Sequence, residues 1–180
     1  MKATGIVRRI DDLGRVVIPK EIRRTMRIRE GDPLEIYTSR DGEVIFKKYS
    51  LLGGVEDFAG QLCETMSRST GSICAVTDRD TVIAVAGGGK RELMGKRITP
   101  ELEHIMESRQ IYQYTGEGQA IPVSDGNDRL LANVAAPILS EGDLLGLVLF
   151  IGNAPGAVSG DAEYKLAQTI AAFLGRHMES

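Results

Sequence analysis

The sequence predicts an α+β protein in two parts: a head of order β-β-α-β-β, then a larger α/β body with an antiparallel sheet and flanking helices. Three observations predict it. Charge is divided along the 180 residues, with 12 Lys+Arg against 8 Asp+Glu in residues 1–50 and 10 against 17 beyond them. Short β-branched runs alternate with tight-turn residues through the first 50 positions. Apolar residues then recur at three-and-four spacing just after residue 54 and again near the end. These place the domains at 1–53 and 54–180.

In the head, Thr4 to Ile10 is a short apolar-mixed run that ends at the turn signal Asp11-Asp12-Leu13-Gly14. Arg15-Val16-Val17-Ile18 is strand-like. Pro19 stops it and suits the first turn of a helix over Lys20 to Arg27. After Arg29-Glu30-Gly31-Asp32, the runs Leu34 to Thr38 and Glu43 to Lys48 flank Asp41-Gly42, a strong hairpin signal.

Two hairpins and so short a helix cannot exclude water from a core. The missing surface must come from a second copy, so we expect an intertwined homodimer. In the helix, Ile22 and Met26 share one side while Lys20, Arg23, Arg24 and Arg27 follow three-and-four spacing on the other. Like charges at that spacing repel, and a polyanion relieves them. Arg8, Arg9 and Arg15 lie beside the first turn and extend the basic surface.

The run from Lys2 to Arg24, and above all Gly14-Arg15-Val16-Val17-Ile18-Pro19-Lys20-Glu21-Ile22-Arg23, resembles the N-terminal domain of AbrB-type transition-state regulators. The resemblance covers roughly 50 residues. It implies the swapped-hairpin fold, double-stranded DNA as partner, and a DNA surface made by Arg8, Arg15, Arg23 and Arg24. The same fold also serves antitoxins.

The body opens, after a linker Ser50-Leu-Leu-Gly-Gly, with a helix over Val55 to Ser69. Ser72 to Thr77 and Thr81 to Ala86 read as strands around Asp78-Arg79-Asp80. Thr99 caps a helix over Pro100 to Arg109. Gln119 to Val123, Leu130 to Ile138 and Leu144 to Ile151 read as strands, and Ser159 caps a final helix to about Glu179. This order resembles a GAF-like or PAS-like sensor domain. With the AbrB-like head, the whole chain is similar to sporulation-stage transcription regulators of endospore-forming bacteria.

Other chemistry is weighed against these patterns. Gly87-Gly88-Gly89-Lys90 fails as a phosphate loop, because Ala84 and Arg91 stand where a Gly and a Ser or Thr are needed. His104 and His177 lie far apart, and Cys63 and Cys74 match no zinc spacing. Asp125-Gly126-Asn127-Asp128 lacks the closing Glu of a calcium loop. With no catalytic constellation, the body reads as non-enzymatic, without a metal or established cofactor. A small-molecule ligand of the GAF-like domain remains open, with Ile73, Ala75, Val82, Ala84, Val134 and Ala136 as pocket candidates. Val55, Phe58 and Leu62 on the first helix, with Leu166, Ile170, Phe173 and His177 on the last, form stripes that suit pairing between chains.

The expected function is that of a sequence- or shape-selective DNA-binding transcription regulator, activator or repressor, whose body assembles or senses. The expected assembly is a homotetramer of two intertwined dimers. The alternative is an antitoxin-type autorepressor that binds a protein toxin. The longest apolar run has eight residues, against about 20 for a membrane span, and MKATGIVRR lacks an apolar leader, so the expected location is cytoplasmic, with the nucleoid.

Overall fold

The computed structural model describes residues 5–154 and 156–179. The chain divides between Tyr49 and Ser50, so the division falls before the expected linker. Residues 51–54 form turns on the body, with Leu52 buried in its core and Leu51 packed against it.

The head contains helix α1 (Lys20–Met26), strand β1 (Leu34–Thr38) and strand β2 (Val44–Lys48). Pro19 precedes α1, and its carbonyl accepts the N–H of Arg23 at 3.0 Å. Arg27 ends the helix at φ +52°, and the N–H groups of Arg27 and Ile28 return to the carbonyls of Arg24 and Arg23. That paired closure usually takes Gly at the left-handed position. Arg27 therefore leaves the helical stripe in which its spacing placed it. β1 and β2 pair antiparallel with Ile36 opposite Phe46, around a turn in which Gly42 has φ +83°.

The two strands expected at Thr4 to Ile10 and Arg15 to Ile18 carry no ladder; Thr4 lies outside the described residues. Residues 5–10 and 15–18 are joined through the Asp11–Gly14 turn, where Asp11 donates its N–H to the Arg15 carbonyl at 3.0 Å. A strand exists only with a neighbour to pair with. The apolar side chains that should face such a neighbour stand in water, Val7 at 89% and Val17 at 71% exposure.

The body runs α2 (Glu56–Thr70), β3 (Ile73–Thr77), β4 (Val82–Ala86), α3 (Lys90–Leu93), α4 (Pro100–Ser108), β5 (Tyr112–Gln113), β6 (Ile121–Pro122), β7 (Leu131–Ser140), β8 (Asp143–Gly152) and α5 (Asp161–His177). Its strands form one antiparallel sheet of order β4-β3-β8-β7-β5, with β6 also on β7. The first and last helices, α2 and α5, share one face, where Cys63, Met66, Phe150 and Leu174 are buried. α3 and α4 close the other around Leu102, Met106, Leu147 and Leu149. Thr99 caps α4 as expected, accepting the N–H of Leu102 at 3.4 Å. Ser159 does not cap α5; the cap position is Gly160, whose N–H is taken by Glu163 Oε2 at 3.0 Å.

Two of the sheet pairings are irregular. The β3–β4 register skips Ile83 between Val76↔Ala84 and Thr77↔Val82, and the β7–β8 register skips Asn133 between Ala132↔Ile151 and Val134↔Phe150. Each bulge reverses which residues face which layer.

A candidate nucleic-acid interface

All six cations expected to meet DNA are exposed: Arg8, Arg9, Arg15, Lys20, Arg23 and Arg24. Lys20, Arg23 and Arg24 occupy α1 at three- and four-residue spacing, so they project from one side of it. Arg27 and Arg29 are half-buried instead.

Arg15 is held. Its Nε donates to Asp11 Oδ2 at 2.7 Å, while Asp11 Oδ1 accepts the backbone N–H of Leu13 at 3.0 Å and of Arg15 at 2.7 Å. The backbone and side-chain bonds from Arg15 hold the Asp11 carboxyl below its usual 3.8. The sequence marked this stretch only as a turn. An Asp two residues before an N–H it can cap, with Gly14 at φ +75° closing the turn, was the available signal.

Between residues 5–18, α1 and the β1–β2 hairpin lies an apolar groove of about 600 Å³, lined by Ile6, Val17, Ile22, Met26, Val44 and Phe46 among others. Arg8 borders it, beside the basic surface.

The residues expected to line a ligand pocket do not converge. Ile73, Ala75 and Val82 face the α3–α4 layer, whereas Ala84, Val134 and Ala136 face α2 and α5. The bulge at Ile83 separates Ala84 from Val82, while pairing through β8 sets Val134 level with Phe150 and Cys74, so Val134 and Ala136 share the face of Cys74 rather than that of Ile73 and Ala75. Ile73 borders a surface groove of about 250 Å³ with Gly87–Gly89 and Leu130, and Ala84 borders another. Gly89 stands at φ +67° just before α3, where a Cβ would lie 2.9 Å from Leu130 Cδ1. The Gly run is thus a packed turn.

The proposed assembly stripes are partly spent within the body. Val55, Phe58, Leu62, Leu166 and Ile170 pack against their own core, while Phe173 remains 47% exposed. Among the described residues no cluster of three or more His, Cys, Asp or Glu is arranged to hold a metal, and no helix is long and apolar enough to cross a membrane.

Comparison with known proteins gives each part a relative. Residues 54–179 match the family described as stage V sporulation protein T C-terminal, transcription factor. Residues 7–50 match the family described as antidote-toxin recognition MazE, bacterial antitoxin. Over 180 residues the chain is 46% identical to stage V sporulation protein T of Bacillus subtilis (strain 168), covering 99% of each. A 49-residue stretch, 27% of this chain, is 63% identical to half of the transition state regulatory protein AbrB of the same organism. The GAF domain of a phosphoenolpyruvate-protein phosphotransferase from Coxiella burnetii matches 69% of this chain and 82% of that one, with a TM-score of 0.53 at 13% identity, which shows a shared fold.

Proposed function

The chain belongs to the stage V sporulation protein T family, DNA-binding transcription regulators with an AbrB-like head and a GAF-like body, and from that premise we propose how its residues divide the work. Arg8, Arg9, Arg15, Lys20, Arg23 and Arg24 bind the duplex. The observation that carries this is the exposure of all six within one 49-residue unit, three of them at helical spacing on α1. Phosphates are neutralised by the whole set, and the Arg forks on α1 reach base edges.

The head works as an intertwined homodimer, because its apolar groove and bare arms need a second copy to cover them. The body joins two such dimers into a homotetramer and does not catalyse. The division of the pocket candidates between two faces favours assembly over small-molecule sensing. The protein works in the cytoplasm, where its DNA is.

The match of residues 7–50 to an antitoxin family supports a second reading, an autorepressor that neutralises a protein toxin. The packed body opposes it, since antitoxin tails are typically short and disordered before binding. Selection of duplexes from a randomised pool tests the first reading: one enriched motif is expected. No enrichment, together with a stoichiometric toxin subunit in a pull-down, would transfer the case to the second.

A further inference from the structure

The turn carrying Arg15 is organised around one carboxylate, and we propose that Asp11 is a positioning residue that sets how sharply the head discriminates between DNA sequences. The inference rests on the reading of Arg15 as a DNA contact.

Asp11 does two separable things. Oδ1 takes the N–H groups of Leu13 and Arg15, which fixes the turn. Oδ2 takes Arg15 Nε, which fixes the side chain. An Asn carbonyl could still accept from the two backbone donors, though more weakly than a carboxylate does. Only a carboxylate offers a second oxygen to the guanidinium, so the acid's distinctive contribution is to Arg15.

The contact is through Nε alone, at 2.7 Å. The two terminal NH₂ groups of Arg15, with four N–H donors, stay available for a phosphate or a guanine edge. A side chain already held loses less rotamer freedom on binding than one that must first be ordered. Stability alone gives no reason for this pair, since both side chains are exposed, 69% and 36%, and such surface pairs contribute little.

A carboxylate beside a DNA contact also has a cost. It repels phosphate on every sequence alike, so it weakens non-specific binding across the board. On a duplex whose groove meets the held Arg15 fork, preorganisation offsets that repulsion. Both effects raise the ratio of specific to non-specific affinity, the quantity that matters among many competing sites.

The test uses the full-length chain, a duplex enriched from a randomised pool by the wild-type protein, and a scrambled duplex of the same composition. Affinities of wild type, Asp11→Asn, Arg15→Ala and the double variant are read by fluorescence anisotropy across a salt series, with thermal melting beside them. We expect Asp11→Asn to weaken the selected duplex about five- to tenfold, with the scrambled duplex bound equally or more tightly. Melting should be unchanged, and in the Arg15→Ala background Asp11→Asn should cause no further weakening. Equal losses on both duplexes with lower melting would mean that Asp11 only builds the turn. Tighter binding to both would mean that it acts only as a charge, and an undiminished effect without Arg15 would mean that it acts elsewhere; each of these overturns the inference. An Arg15→Ala variant with normal affinity would refute the DNA surface itself. If Arg15→Ala weakens binding while Asp11→Asn leaves the ratio intact, only the present inference fails.

Discussion

Phe58 on α2 and His177 on α5 hold their rings 4.9 Å apart between centroids, and Phe173 lies 6.0 Å from Phe58. Of this cluster Phe58 is half-buried on its own core, while Phe173 is largely exposed. Leu166, two turns earlier on α5, also belongs to the core side. Phe173→Glu should therefore lower the full chain from tetramer to dimer in sedimentation velocity without unfolding it. Leu166→Glu should destabilise the body itself, seen as a lower melting temperature. A tetramer that survives Phe173→Glu would remove the α2–α5 face from the assembly.

The head alone should be a tight dimer. Val7, Ile10, Val17, Ile36 and Val44 are each at least 59% exposed in the single chain, more apolar surface than so small a unit tolerates in water. Residues 1–49 expressed separately should sediment at twice the chain mass at micromolar concentration and melt at a temperature that rises with concentration. A folded monomer would contradict this.

Arg15→Ala and Arg23→Ala should each weaken binding to a selected duplex at least tenfold, about 1.4 kcal/mol or more. Each should also flatten the fall of log K with log salt by roughly 0.9 for every phosphate that is no longer neutralised. Arg176→Ala, exposed on α5 of the body, is the control and should change neither quantity.

Cys63 and Cys74 should be silent as thiols. Both are free and buried, and loss of solvation pushes each up to about 12. At neutral pH they stay protonated, and the thiolate is the reactive form. Ellman's reagent should find neither in the native protein and both after denaturation. The raised values also set a sign. The folded state keeps these protons longer than the unfolded state does, so their contribution to stability is complete below about pH 9 and is lost as pH rises toward 12. Thermal melting over that interval should fall less in the Cys63→Ala, Cys74→Ala double variant than in the wild type.

Gly146 should tolerate no side chain. A Cβ there would collide with the carbonyl oxygen of Thr77 on the adjoining strand. Backbone sits on both sides of the contact, so relief requires the β3–β8 pair to part. Gly146→Ala should cost about 3 kcal/mol in chemical denaturation, against no loss for Gly60→Ala on α2, where a Cβ would meet open space and the backbone needs no positive φ.

Elements with a strong local signal were legible in the sequence. Leu34–Thr38 and Val44–Lys48 follow from Asp41-Gly42 and alternation, and the N-cap at Thr99 from Pro100 after it. Lys90–Leu93 and Tyr112–Gln113 were missed: four residues are too few to show a helical period, and a two-residue strand is defined only by its neighbour β7. The residues that face a common layer could not be read, because Ile83 interrupts the alternation of β4 and the register that sets Val134 level with Cys74 is a property of paired strands. At the basic surface the cations themselves were legible. The hold of Asp11 on Arg15 was not, since it depends on how the turn folds back.

The burial of Leu52 bears on how such a molecule can be recombined. Composition changes at the glycines, and a chimaera maker, or a recombination event, would cut after Gly53. That cut would carry Leu51 and Leu52 away with the head and leave a hole in the body where Leu52 is now 1% exposed. It would also remove Ser50, whose hydroxyl donates to Asp78 Oδ2 at 3.3 Å. The splice that keeps both halves whole lies after Tyr49. Hybrids joined there should keep a fully folded body under a foreign head, and lineages that exchanged heads should carry their seams at the same position.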